Sequence, residues 1–272
     1  DPFSMNTEAL LGGLDFAFPS AAKIGGLASG GSTPGSHALY LNDEEYRDGA
    51  VGIAMTGNLV VDTVVAQGCR PIGKPMRVTE IDQNMLVTID DKPPMETLQE
   101  LFREMEPREQ ALAQRNLFIG VAMDPLVDNA QRGDFLIRNI VGVNPSRGTI
   151  AVGTHLREGQ FVQFHVRDAD TSAEDLKGSL TDYLKASDNR EVSAALMFQC
   201  TGRGRGLYGQ PGHDTSMFHE LLGALPVGGF FCNGEIGPVA GETYLHGYTS
   251  SFAIFRPRDG HQAWQARRQA FK

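Results

Sequence analysis

The stretch Ala194-Ala195-Leu196-Met197-Phe198-Gln199-Cys200-Thr201-Gly202-Arg203-Gly204-Arg205-Gly206 decides the fold class. Its first seven residues are a short apolar run with one polar side chain, as in a buried strand, and the glycines after it are turn chemistry. Beyond Pro211-Gly212-His213, Asp214 is placed to cap a helix in which Phe218, Leu221 and Leu222 recur at helical spacing. A second apolar run, Val227 to Cys232, completes an order of strand, glycine loop, helix and strand. That order gathers the last strand residues and several backbone N–H groups at one end of a sheet, where ligands commonly bind.

Upstream, Asn6 or Thr7 caps a helix bearing Leu10, Leu11 and Leu14, with Pro19 past its end. Lys23 to Ala28 reads as a short strand and Ser29 to Gly35 as a loop. Ala38 to Leu41, Ala50 to Met55 and Leu59 to Ala66 read as strands, the last two joined in a hairpin at Thr56-Gly57-Asn58. Strands at Met76 to Ile81 and Met85 to Ile89 precede a helix opened by Pro93-Pro94, with Met95, Leu98, Leu101, Phe102 and Met105 on one face and Pro107 as its breaker. Leu117 to Met123, Phe135 to Val143, Thr149 to Gly153 and Phe161 to Val166 suit strands. Thr171 and Glu174 form a capping-box pair for a helix burying Leu176, Leu180, Tyr183 and Leu184, and further strands lie within Tyr244 to Phe255. The expected fold is α/β of the α+β kind, with mixed, largely antiparallel sheets and packed helices.

Two segments repeat this grammar. Leu10 to Met55 and Phe218 to Phe255 both run from an apolar helix through a proline to a Gly-Gly strand, a glycine-rich loop and a pair of strands. We expect two related lobes from an internal duplication. The second copy is preceded by the strand ending at Cys200 whereas the first has no such strand before it, so the chain is expected to start inside its first domain.

At 272 residues the chain exceeds the size of about 250 residues at which single cores stop growing, which favours two lobes. A charge of −9, with no basic run beyond Arg267-Arg268, argues against nucleic acid as a partner. Apolar segments are interrupted every few residues, so no membrane insertion is expected. The three cysteines, Cys69, Cys200 and Cys232, are widely spaced in apolar runs, which points to the cytoplasm or another reducing compartment. An organelle stays open, since a targeting sequence would precede residue 1, and so does oligomerisation.

Cys200, Arg203, Glu235 and His246 are the side chains expected to converge, with Asn233 beside Glu235 in Gly229 to Pro238. A guanidinium among glycines can grip a carboxylate in bidentate fashion. Glu235, in an apolar surround, needs a partner, which is either Arg203 or the amine of a ligand. The sharper alternative is a nucleophilic system with Cys200 attacking, His246 as base and Glu235 orienting it, as in a cysteine-dependent hydrolase or transferase. Gly204, Gly206 and Gly209 match G-x-G-x-x-G, but the helix does not open from that loop, so dinucleotide binding is disfavoured and no cofactor is expected. No metal-ligand spacing occurs. In Phe161 to Asp168, Val162, Phe164 and Val166 face a core while Gln163, His165 and Arg167 share a face expected to be solvated. Arg138 and Arg70, each set in an apolar stretch, need compensation and are further ligand-binding candidates.

Gln67-Gly68-Cys69-Arg70-Pro71-Ile72-Gly73, the Cys200 to Gly204 loop and Gly234-Glu235-Ile236-Gly237-Pro238 resemble the motifs of the FIST family, named for F-box and intracellular signal transduction proteins. Residues 1–90 look like the later part of the FIST N-terminal domain, 91–257 like the FIST C-terminal domain, and 258–272 form a tail. The resemblance implies an intracellular sensory module for small ligands such as amino acids, working with a signalling protein partner, and no agreed catalytic residues. The expected function is sensing of a small metabolite, with Arg203 reading its carboxylate and Glu235 its amine. A cysteine enzyme and a protein-interaction scaffold are the alternatives.

Overall fold

The computed structural model describes residues 1–124, 133–186 and 191–258. They form two compact units, one from Asp1–Gln67 with the described part of Ala173–Lys272, the other from Gly68–Ser172. The first unit opens with α1 (Thr7–Ala17), capped by Asn6, whose side chain accepts from the Ala9 N–H at 3.0 Å. Next come β1 (Gly25–Gly26), the β2 (Leu39–Leu41) and β3 (Glu44–Tyr46) hairpin, and β4 (Val60–Ala66). The hairpin expected at Thr56-Gly57-Asn58 does not form. Residues 50–56 hold no strand, Ile53 is 84% exposed, and β4 pairs far along the chain instead.

The second unit is a closed antiparallel barrel. Its strands are β5 (Arg70–Asp82), β6 (Met85–Ile89), β7 (Leu117–Ala122), β8 (Phe135–Asn144), β9 (Thr149–Val152) and β10 (Phe161–Val166). They close in the order β10-β5-β6-β9-β8-β7, so each has a partner on both sides. Alternate side chains fill the interior: Ile72, Met76, Val78, Leu86, Ile119, Ile150, Val162 and Phe164 are all buried. Between β6 and β7 lie α2 (Pro94–Glu104) and α3 (Pro107–Ala113). Pro107 does end the first helix, but it also starts the second at a position that needs no backbone N–H. The other face of β10 is buried rather than solvated. Gln163 Nε2 donates to Gly73 O at 2.8 Å, and His165 lies edge-on to Phe135 over Gly120, which has no Cβ to obstruct the ring.

The first unit resumes at Ala173, within α4 (Ala169–Ala186). Its cap is Asp168, which accepts from the Thr171 N–H at 2.7 Å, so Thr171 lies inside the helix rather than before it. The chain continues through β11 (Ala194–Cys200), α5 (Arg205–Tyr208), α6 (His213–Leu222), β12 (Val227–Cys232), β13 (Glu235–Val239), β14 (Glu242–His246) and β15 (Ser250–Arg256). One sheet runs β12-β11-β15-β4, with β11 and β12 parallel and its other pairs antiparallel; a second runs β1-β13-β14.

Period-two alternation lets the four-stranded sheet pack on both faces, its edge strand β12 staying largely exposed. On one, Ala195, Met197, Phe252 and Ile254 pack with Leu176 and Leu180 of α4 and Phe218 of α6. On the other lies the three-stranded sheet, where Ser251 Oγ donates to Ile236 O at 3.1 Å and Gly237 leaves room for Ser251 and Val65. Asp15 of α1 holds the far side of that small sheet, accepting from the N–H and the hydroxyl of Thr243 at 2.8 Å each. Helices with largely antiparallel sheets make the chain α+β.

Candidate functional site

The carboxyl end of β11 turns sharply. The Arg203 N–H bonds Cys200 O at 2.9 Å, the Thr201 N–H bonds Cys232 O at 3.0 Å, and Gly204 takes a left-handed φ of +64° against the Phe231 ring. This turn sends Arg203 inward, leaving it 2% exposed. Nε donates to Asp214 Oδ2 at 2.6 Å, Nη2 to the Tyr208 hydroxyl at 2.6 Å, and Nη1 makes a longer contact of 3.4 Å to Tyr248 O. Asp214 also accepts from Gln199 Nε2 at 2.6 Å and meets His213 Nδ1 at 3.0 Å, while the Tyr208 and His213 rings stack. Burial pushes the Asp214 carboxyl up, but the Arg203 bond and charge, then His213 and Gln199, outweigh it and hold the group below the usual carboxylate range. Burial likewise opposes the Arg203 charge, and Asp214 more than restores it.

Glu235 opens β13 and is fully buried. Its Oε2 accepts from the Thr249 N–H at 3.0 Å and from the Thr249 hydroxyl at 2.7 Å. Asn233 is exposed and holds the loop before it, with N–H to Leu27 O at 3.2 Å and Nδ2 to Ala28 O at 3.1 Å. His246 is buried. Its Nε2 sits 2.9 Å from Gly237 O, which can only accept, so that nitrogen carries a proton. Cys200 is half-buried, and its sulfur accepts from the Gly202 N–H at 3.4 Å. Cys232 is fully buried; burial, then Glu235 and Cys200, push its thiol far up.

Cys200, Arg203, Asn233, Glu235 and His246 therefore all belong to the first unit, at or beside the ends of β11 and β12. Arg70 and Arg138 belong to the barrel. Arg70 pairs with Glu109 of α3, and half-buried Arg138 donates to Ile137 O at 3.3 Å. A cleft of about 330 Å³ in the barrel unit is lined by Arg108, Glu109, Leu112, Asp168 and Asp170. Asp214, Gln199 and Tyr208 escape the sequence reading. Asp214 reads there as a helix cap, but the cap position is Gly212, leaving the carboxylate to Arg203. The available signal is that a guanidinium turned inward demands a carboxylate, and Asp214 lies 11 residues on. Among the described residues no group of His, Cys, Asp and Glu is arranged to hold a metal ion, and no helix is long and apolar enough to cross a membrane.

The family described as FIST N domain matches residues 1–92 and that described as FIST C domain matches residues 94–238. An uncharacterized protein of Mycobacterium tuberculosis (strain ATCC 25618 / H37Rv) is 39% identical over 255 residues, covering 94% of this chain and 66% of that protein. One from Mycobacterium bovis is 38% identical over 255 residues, with the same shares, 94% and 66%. An F-box/LRR-repeat protein of Arabidopsis thaliana is 25% identical over 158 residues, 53% of this chain and 29% of that protein. The chain thus spans 66% of the length of its mycobacterial relatives.

Proposed function

The chain belongs to the FIST family, whose domains are generally sensory domains in signal transduction, and we propose that it senses a small carboxylate-bearing metabolite such as an amino acid at the carboxyl ends of β11 and β12. One observation carries this reading. Gln199, Arg203, Asp214, Glu235, His246 and Thr249 are all buried where the four-stranded sheet, which carries Gln199, meets the three-stranded sheet, which carries Glu235 and His246. Buried charge is weak evidence for stability, because well-packed apolar side chains would hold a fold as well or better. A cluster of this kind instead suits a pre-organised floor beneath binding loops. Above it Thr201, Gly202 and Asn233 are exposed.

In this reading the ligand's carboxylate lies over the Thr201-Gly202 turn, in the field of Arg203, and its amine lies toward Asn233 and Glu235. Arg203 and Glu235 act from below by fixing the loops. A second reading, docking of a signalling protein, is favoured by Phe230 and Phe231, which are 46% and 45% exposed on the edge strand β12.

Titration calorimetry of the wild type, Arg203→Lys and Glu235→Gln against amino acids and dicarboxylates tests the proposal. We expect saturable binding by the wild type and at least tenfold weaker binding by both variants when circular dichroism shows them folded. A wild-type protein that binds none of the panel overturns the metabolite reading.

A further inference from the structure

We propose that Cys200 and Cys232 are a thiol pair that a hydroperoxide converts reversibly to a disulfide, stapling together the carboxyl ends of β11 and β12. The inference does not rest on the metabolite reading. The two residues are direct partners in the parallel register of β11 and β12. Neighbouring strands lie about 4.8 Å apart, inside the Cα separation of about 4.4–6.8 Å that a disulfide spans. Partnered residues on adjacent strands point to the same face of the sheet. The pair one step back on that face, Phe198 and Phe230, touches edge to face with ring centroids 5.5 Å apart, so side chains here meet across the two strands. Opposite the thiols stands Gly26. A Cβ there would come 2.1 Å from the Cys232 sulfur, so the glycine provides the space that sulfur occupies.

The two thiols have different access. Cys200 is half-buried, which lets a small oxidant reach it, and the Gly202 N–H donates to its sulfur at 3.4 Å. Cys232 is fully buried, so it reacts second. The Cys200 thiolate attacks the terminal oxygen of a hydroperoxide. The O–O bond breaks, the departing oxygen takes a proton as water or an alcohol, and Cys200 becomes a sulfenic acid. The Cys232 thiol then attacks that sulfur, its proton passing to the departing oxygen. The S–O bond breaks and the hydroxyl leaves with a proton as water. The two thiols have given up two electrons and two protons to one hydroperoxide, and a dithiol returns them.

The staple joins two positions from which functional loops leave. Thr201 to Gly204 carries Arg203 into its ion pair, and Asn233-Gly234 leads to Glu235. Closing the bond fixes the spacing of those loops.

The test is stoichiometric hydrogen peroxide on the reduced wild type, followed by alkylation, intact mass and peptide mapping. Cys69→Ser serves as a control, because that thiol lies in the barrel unit. Two of the three thiols should become unreactive, with a mass loss of two hydrogens, a linked peptide joining Cys200 to Cys232, and full recovery in dithiothreitol. Cys232→Ala should instead accumulate a sulfenic acid on Cys200 that dimedone traps, and Cys69→Ser should behave as the wild type. A link to Cys69, over-oxidation of Cys200 without a link in the wild type, or three thiols that all survive peroxide overturns the inference.

Discussion

Arg203 and Glu235 are joined through a single peptide group. The carbonyl of Tyr248 faces the Arg203 guanidinium at 3.4 Å, and the N–H of the same peptide, on Thr249, donates to Glu235 at 3.0 Å. The peptide dipole is oriented to suit both side chains at once. Holding it there puts Tyr248 at a φ of +69°, a conformation that costs a non-glycine residue on the order of 1–3 kcal/mol. Backbone strain of this kind persists where surrounding contacts over-determine it, and here they come from both ends of one peptide.

The Arg203–Asp214 pair should behave as one unit. Arg203→Ala leaves a buried carboxylate without its cation and is expected to cost about 3–5 kcal/mol in urea unfolding. The double variant Arg203→Ala/Asp214→Ala should lose clearly less than the sum of the two single losses. Simple additivity would show that the pair does not couple.

Acid should weaken the same pair. A carboxyl depressed in the folded state contributes its full stability above its unfolded pKa of about 3.9, and loses it as pH falls through the folded value. The urea midpoints of the wild type and Asp214→Asn should therefore differ by a constant amount near neutrality. The gap should narrow as pH drops below about 4. A gap that widens in acid would reverse the sign and refute the assignment.

Two neighbouring glycines of β12 should respond differently to the same substitution. Gly229 has a φ of +137°, and a Cβ there would meet Met197 O at 1.9 Å, whereas one on Gly228 would meet Leu196 Cδ2 at an ordinary 3.4 Å. Gly229→Ala should destabilise by well over about 1 kcal/mol and Gly228→Ala by less. Thermal melting of both variants decides the matter, and equal losses would contradict the close parallel approach of β11 and β12.

Size complementarity between Gly26 and Cys232 predicts a compensating pair. Gly26→Ala should cost about 1–3 kcal/mol by overpacking the Cys232 sulfur. In a Cys232→Ala background the added methyl no longer meets the sulfur and only the retained Cβ, 2.8 Å away, still crowds it, so the cost should fall. Unchanged cost in both backgrounds would place the strain elsewhere.

The legible part of this protein is its local chemistry. Period-two runs such as Phe161 to Val166, and the strand ending at Cys200, announce themselves through burial. What sequence periodicity leaves open is pairing. Leu59 to Ala66 has the look of a hairpin arm, yet its partner is Ser250–Arg256, because apolar alternation marks a face without naming the neighbour. Polar side chains were hardest to place. Gln163 and His165 look solvated from one strand alone, and only the glycines facing them explain their burial. Asp214 has the position of a helix cap, and only the inward turn at Gly204 shows why Arg203 needs it instead.

The pairing of β4 with β15 also sets an order of events during synthesis. All six barrel strands lie between those two partners in the chain, so a ribosome releases a complete barrel sequence before the final strand of the four-stranded sheet exists. Until Ser250–Arg256 emerges, β4 lacks its strand partner and β11 lacks its antiparallel neighbour. The nascent chain must carry that unfinished sheet past a folded insert, which makes the closing strand the step most exposed to mispairing and to chaperone capture.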